Sequence, residues 1–268
     1  MKKLMYFALI SVILLSITMF GAWAPMSSGE TRYTDAPILS TYADTTVYYT
    51  SKEVVEEART DGGAPTFLTI TGMTNGCGAV AGAEIVAFYD KYYPELIPGW
   101  DSYYASGKYR GQNATYVNPM MLELYDLMQT NVKGEGVSES EFKTGLQAYF
   151  TNHGYTASFQ SVKSGSTLNY NACKQAVDSN RIMVLFITPG DIYEIIESSN
   201  NDYIASYTIS GNHIMIAYGY LQVKYYNSTG LFRTDTYLEV ATGSSAPTKA
   251  YYRIDSSNLE AAYIVNVS

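Results

Sequence analysis

T-N-G-C-G-A-V-A-G-A-E-I-V-A-F-Y-D, from Thr74 to Asp90, sets one of only two cysteines in a 268-residue chain between two glycines, at the mouth of a segment with helical period. The small residues Ala79, Ala81, Gly82 and Ala83 let such a helix approach neighbouring backbone, and Val80, Ile85, Val86 and Phe88 give it apolar faces. The spacing predicts a central helix from Cys77 to Tyr93, ended by Pro94 and Pro98-Gly99. A thiol at its N-terminus meets the positive end of the helix dipole and the free N–H groups of the first turn, which favour thiolate and predict a lowered pKa. Gly76 and Gly78 are expected to leave the sulfur open to approach. Glu84 and Asp90 are expected to face solvent or be paired. Cys77 then reads as a nucleophile, with an inert buried cysteine as the structural alternative. A bridge to Cys173 is not expected, because that residue stands mid-helix in N-Y-N-A-C-K-Q-A-V-D and has no reason to meet the central helix.

Outward from this stretch, the pattern predicts helices at Asn118 to Val132, Ser138 to Asn152 and Leu168 to Asp178. Pro119 sits in the first turn of the earliest of these. Strands are expected at Ile182 to Thr188, His213 to Val223, Thr236 to Thr242, Lys249 to Ile254 and Ala261 to Val267, all rich in Tyr, Val, Ile and Thr. Helices first and an antiparallel sheet second make the fold class α+β, with a Cys-bearing central helix packed on a C-terminal sheet. Residues 25–65 are polar and low in pattern (S-S-G-E-T-R-Y-T-D-A-P), with one short helical candidate near Glu53 to Arg59, and read as a pro-segment or an extended arm. Residues 66–268 form the main domain.

The second feature is I-S-G-N-H-I-M-I-A-Y-G-Y, from Ile209 to Tyr220. His213 opens a strand of alternating apolar residues beneath a Gly-Asn turn, where an imidazole serves as the general base that activates a thiol and later protonates the leaving group. The only other histidine, His153 in F-T-N-H-G-Y, stands at a helix end before a glycine and reads as a cap.

G-C-G-A-V-A-G-A-E-I-V-A-F-Y-D followed far downstream by G-N-H-I-M-I-A-Y-G-Y resembles the papain-like cysteine peptidases, and among them the bacterial branch similar to bacteriocin-processing, double-glycine-leader peptidases. The resemblance runs from about Thr66 to the C-terminus and includes C-K-Q-A-V-D-S-N-R-I-M-V-L-F between the two motifs. It implies a cysteine peptidase with Cys77 as nucleophile and His213 as base and acid. The family's upstream glutamine has no counterpart, Thr71 standing near its place. Asn75 then either donates to an oxyanion with the Cys77 N–H or holds the turn. The orienting residue should lie near Ala241. Glu239 shares that face by the period of two, with Thr242 adjacent and Asp235 just before the strand. A dyad without a third member, or a site that has lost activity, are the other readings.

The chain's start fixes its context. Lys2-Lys3, an uncharged and mostly apolar run from Leu4 to Phe20, and A-W-A ending at Ala24 have the order of a secretory signal, residues 1–24, cleaved after Ala24. An uncleaved anchor is the alternative, since about 20 apolar residues span a bilayer. The mature chain is expected outside the cytoplasm and off the membrane. The formal charge is -8, or -8 - 2 = -10 once the two leader lysines are gone. Without a basic cluster, nucleic acid and anionic lipid are poor partners. No metal-ligand spacing and no phosphate-binding glycine loop is present, so no cofactor is expected. Tyr92-Tyr93, Tyr103-Tyr104, Tyr225-Tyr226 and Tyr251-Tyr252 read as packing residues of a sheet with one wet edge, or as a groove for peptide or glycan. The expected partner is a peptide or protein, cell-wall peptide among them. The competing expectation is a catalytically inactive secreted binding module that works through its tyrosines.

Overall fold

A computed structural model describes residues 30–35, 43–199, 201–245, 247 and 249–268. The expected leader, 1–24, lies outside them, as do 25–29 and 36–42 of the following segment. The main elements in chain order are β1 (Thr45–Tyr49), β2 (Ser51–Arg59), α1 (Cys77–Asp90), α2 (Val117–Leu127), α3 (Glu139–Asn152), β3 (Ala157–Ser161), α4 (Tyr170–Asp178), β4 (Met183–Ile187), β5 (Gly190–Ile196), β6 (Asp202–Ile209), β7 (His213–Asn227), β8 (Gly230–Ala241), β9 (Ala250–Arg253) and β10 (Leu259–Val267). The fold class is α+β, with a ten-stranded sheet in the order β1-β6-β5-β9-β8-β7-β4-β10-β3 and β2 pairing with β7. Among the described residues no helix is long and apolar enough to cross a membrane.

The centre of the sheet is covered on both faces. Strand β4, M-V-L-F-I, is buried at every position. Its alternation sends Val184 and Phe186 towards α1, α2 and α3, and Met183, Leu185 and Ile187 towards α4. Helix α1 is buried along all 14 of its residues, which is why its apolar residues run around more than one face. Cys77 and Cys173 are both free and lie in different core clusters.

Two expectations fail here. Glu53 to Arg59 is strand β2, antiparallel to Gly219–Tyr226 of β7. Its Glu, Ala and Arg are good helix formers, but propensity is a small term that a free ladder on β7 overrides. Strand β1 pairs with β6, at the far end of the sheet. Because β1 and β2 are separated only by Thr50, whose N–H donates to the Tyr226 carbonyl at 2.8 Å, the pairing closes into a circuit through β6, β5, β9, β8 and β7. Tyr49, Leu221, Val223, Tyr225, Tyr237 and Tyr251 fill it as a core of their own. The hairpin β5–β6 that completes the circuit is absent from the expected elements, although S-S-N-N between alternating runs is its signal.

The second failure concerns Glu84 and Asp90, which are 1% and 2% exposed. Asp90 accepts the Ile97 and Ser102 N–H groups at 3.0 and 2.9 Å, and burial pushes it up to about 6. Glu84 accepts the Phe67 N–H at 2.9 Å, its second oxygen has no partner among the described residues, and burial raises its pKa well above the ordinary carboxylate value. The polar segment before α1 is packed as well: Tyr33 is 1% exposed and meets Phe186 edge-on at 5.1 Å.

Two stability predictions follow from this packing. Tyr33→Ala should cost about 3–5 kcal/mol, as for other buried aromatics, whereas Tyr33→Phe should be neutral or better because the hydroxyl has no partner. Urea denaturation of both variants measures the contrast. Glu84 ionises in the unfolded chain near 4.5 but keeps its proton when folded, so stability falls as pH rises above that value. Glu84→Gln should remove this loss, and its advantage in urea midpoint over the wild type should grow between acid and neutral pH.

Candidate active site

Helix α1 begins at Cys77 after a turn in which Asn75 takes a left-handed φ of 57° and Gly76 is the N-cap. The Asn75 side-chain amide donates to Asn131 Oδ1 at 2.9 Å, and Asn131 also accepts the Gly136 N–H at 2.6 Å. Asn75 thus ties the cysteine turn to the loop after α2. The flanking glycines serve packing more than access: a Cβ on Gly78 would stand 2.7 Å from Val137 Cγ1. Cys77 itself is 3% exposed.

His213 is the first residue of β7 and is 7% exposed. Its Nε2 lies 2.7 Å from the Thr242 carbonyl oxygen, just past the end of β8. A carbonyl only accepts, so Nε2 carries the hydrogen in the neutral ring and Nδ1 keeps its lone pair. Among the described residues Nδ1 has no hydrogen-bond partner, although the Thr34 main chain is near enough to favour the charged ring. Asn212, one residue earlier, is stitched to the N-terminal segment: its amide donates to the Arg32 carbonyl at 2.8 Å, and its own carbonyl accepts the Thr34 N–H at 3.1 Å.

These elements meet in one cavity of about 320 Å³, lined by Asp35, Thr69, Cys77, Val80, His213, Thr242, Gly243 and Ser244. Cys77 and His213 share it because α1 packs on β7, and the Ile214 N–H is directed at the Cys77 sulfur. Neither Asn75 nor Glu239 lines it. Glu239 pairs across from Gly219, six residues along β7 from His213, which is on the order of 20 Å at the rise of a strand. There it accepts Arg59 Nε at 2.5 Å and the Tyr218 hydroxyl at 3.1 Å. The expected orienting side chain is replaced by a main-chain carbonyl, that of Thr242.

The electrostatics reverse one expectation. Burial pushes the Cys77 thiol up to about 12, outweighing the Ile214, Gly78 and Cys77 N–H groups that favour thiolate, and the Asp35 carboxylate pushes it the same way. Burial also holds His213 below its ordinary 6.5, against the opposing pull of the Thr242 and Thr34 main chain and of Asp35. At neutral pH the thiol and the imidazole that line this cavity are therefore both neutral, and among the described residues no hydrogen bond joins them. The helix terminus acts in the expected direction, and desolvation is larger.

No protein-family model, curated protein or solved structure matches this chain. The cavity must therefore be interpreted from its own chemistry. Among the described residues no group of three or more His, Cys, Asp or Glu side chains is placed to hold a metal ion. His153 caps α3, its Nδ1 lying 2.9 Å from the Tyr149 carbonyl and its ring stacked on Tyr149 at 4.3 Å. Sequence reasoning missed Asp35 and Thr69. Asp35 belongs to a stretch without period, so nothing local marked it as reaching the cavity.

Alkylation of Cys77 by iodoacetamide should climb with pH from neutral to alkaline without a plateau, since the thiolate fraction sets the rate. Asp35→Asn removes a negative charge that disfavours thiolate, so it should speed labelling at any fixed pH, with Cys77→Ala as the blank.

Proposed function

We propose that this chain is a secreted papain-like thiol hydrolase that cleaves peptide or amide bonds, with Cys77 as nucleophile and His213 as general base and acid. The observation that supports this most is the cavity that Cys77 and His213 both line, together with the bond to Thr242 that occupies Nε2–H and leaves the lone pair on Nδ1. Nδ1 takes the Cys77 proton as sulfur bonds to the substrate carbonyl carbon, then gives that proton to the departing amine nitrogen as the C–N bond breaks. Water, deprotonated by the same Nδ1, attacks the thioester and releases the acid, returning the proton to sulfur. The first-turn N–H groups of α1 and the Thr69 hydroxyl are the donors available to the tetrahedral oxyanion. Thr242 fixes the ring as a positioning residue through its carbonyl, so no third side chain is required at Glu239. The sequence resemblance and the α+β architecture with its central helix agree with this reading.

One observation favours a second reading, a non-catalytic binding module: the burial that holds the Cys77 thiol far from thiolate. Hydrolysis of a peptide mixture separates the two. Cys77→Ala and His213→Ala should each abolish cleavage, and the acid limb of the wild-type rate should fall below pH 6.5, where the base becomes protonated. Cleavage surviving in either variant, or no cleavage by the wild type, overturns the hydrolase reading.

A further inference from the structure

The circuit of strands closed at Thr50 holds a cavity of about 150 Å³ at one end, and it shares no residue with the cavity at Cys77. The mouth of a closed sheet is a common place for a ligand, and a volume below the roughly 300 Å³ at which drug-sized pockets begin suits only a few non-hydrogen atoms. The register sets Tyr193, Ser206 and Thr45 side by side across β5, β6 and β1, with the Thr45 and Ser206 hydroxyls 2.6 Å apart. Two residues nearer the tyrosine core, Val47 pairs with Ile204 and gives the cavity an apolar floor. Arg233 of β8 and Arg253 of β9 line the same space. The Arg233 Nε–H donates to Asp235 at 2.5 Å, and that carboxylate also accepts the Tyr237 hydroxyl at 2.7 Å. Arg233 Nη2 is buried and, among the described residues, has no acceptor, which is a costly state for a charged donor. Burial and the Arg253 charge both work against the Arg233 cation, and Asp235 outweighs them. Arg253 is held in the same manner, its Nε–H donating to Asp255 at 2.5 Å and its guanidinium 5.6 Å from the Tyr193 ring centre.

We propose that this end of the circuit binds a small monocarboxylate through the guanidinium groups of Arg233 and Arg253, with Val47 and Ile204 against its short apolar part. Both arginines spend Nε on a neighbouring carboxylate and keep their Nη groups for another partner, and the planar, acceptor-only group that matches such donors is a carboxylate. The charge balance sets the limit to one negative charge. Asp191, bonded to the Thr208 hydroxyl at 3.1 Å, also lines the cavity, and Asp235 and Asp255 stand against the two guanidiniums. A dianion such as phosphate would meet three carboxylates for two cations. The proposal is independent of any cleavage at Cys77.

The experiment titrates the full chain with N-acetylglycine, its uncharged analogue N-acetylglycinamide, propionate and inorganic phosphate, following the arginine side-chain resonances by NMR. At least one of the two acids should bind tenfold or more tightly than the amide and than phosphate, and should shift the Arg233 and Arg253 signals. Binding of propionate assigns the site to free organic acids, and binding of N-acetylglycine alone assigns it to the carboxyl terminus of a peptide. Arg253→Gln, with its fold checked by circular dichroism, should weaken binding at least tenfold. It strands no buried charge, because Asp255 is 68% exposed. No binding of either acid at millimolar concentration, equal binding of the amide, tighter binding of phosphate, or binding that Arg253→Gln leaves unchanged overturns the proposal. Should Arg253→Gln fail to fold, the comparison of acid with amide on the unaltered chain, read at the two arginine signals, decides it.

Discussion

The hydrogen bond from His213 Nε2 to the Thr242 carbonyl is the constraint on which the chemistry of this molecule turns. It settles which imidazole nitrogen carries hydrogen in the neutral ring, and therefore which one keeps its lone pair. It exists because β8 runs antiparallel to β7 and ends at Ala241, so the next carbonyl meets the ring that opens β7. A main-chain acceptor has no pKa in the working range and no rotamer to lose. It therefore keeps the ring in place across pH in a way that a carboxylate at this point would not.

The thiol is governed by the opposite influence. The same packing that brings α1 against β7 removes Cys77 from water, and removal from water costs more than the helix terminus returns. Asp35 adds to that cost for the sulfur while favouring a charged imidazole. Both groups are thus held in their neutral forms by the packing that encloses them.

Much of this was legible in the residues, and what was not has physical causes. The helices beginning at Cys77 and ending at Asn152 and Asp178 were readable because their caps and apolar periods are local, as in the capping box formed by Ser138 and Glu141. The strand at His213 was readable from alternation. Glu53 to Arg59 was misread because its partner on β7 lies more than a hundred and fifty residues away, and only tertiary pairing makes it a strand. Glu84 and Asp90 read as solvent-facing or paired because a single chain does not reveal that α1 is enclosed on all sides, with main-chain N–H groups as their partners. That Cys77 and His213 line one cavity agrees with their types and their order in the chain. The role of Thr242 was not, because the acceptor is a backbone atom that every residue possesses. The tyrosines divide: Tyr49, Tyr225, Tyr237 and Tyr251 pack inside the sheet, whereas Tyr48, Tyr92 and Tyr104 are exposed.

The circuit closed at Thr50 bears on how the chain is assembled. Thr45 meets Ser206 across a separation of 161 residues, and Arg59 meets Glu239 across 180. The first strands to be synthesised are thus among the last to find their partners, waiting as bare edges until the tyrosine-rich segments of the far half arrive. Such long-range closure slows folding and exposes sticky ladders meanwhile. The acidic residues spread along β2, Glu53, Glu56 and Glu57, are suited to keeping that waiting edge apart from its neighbours.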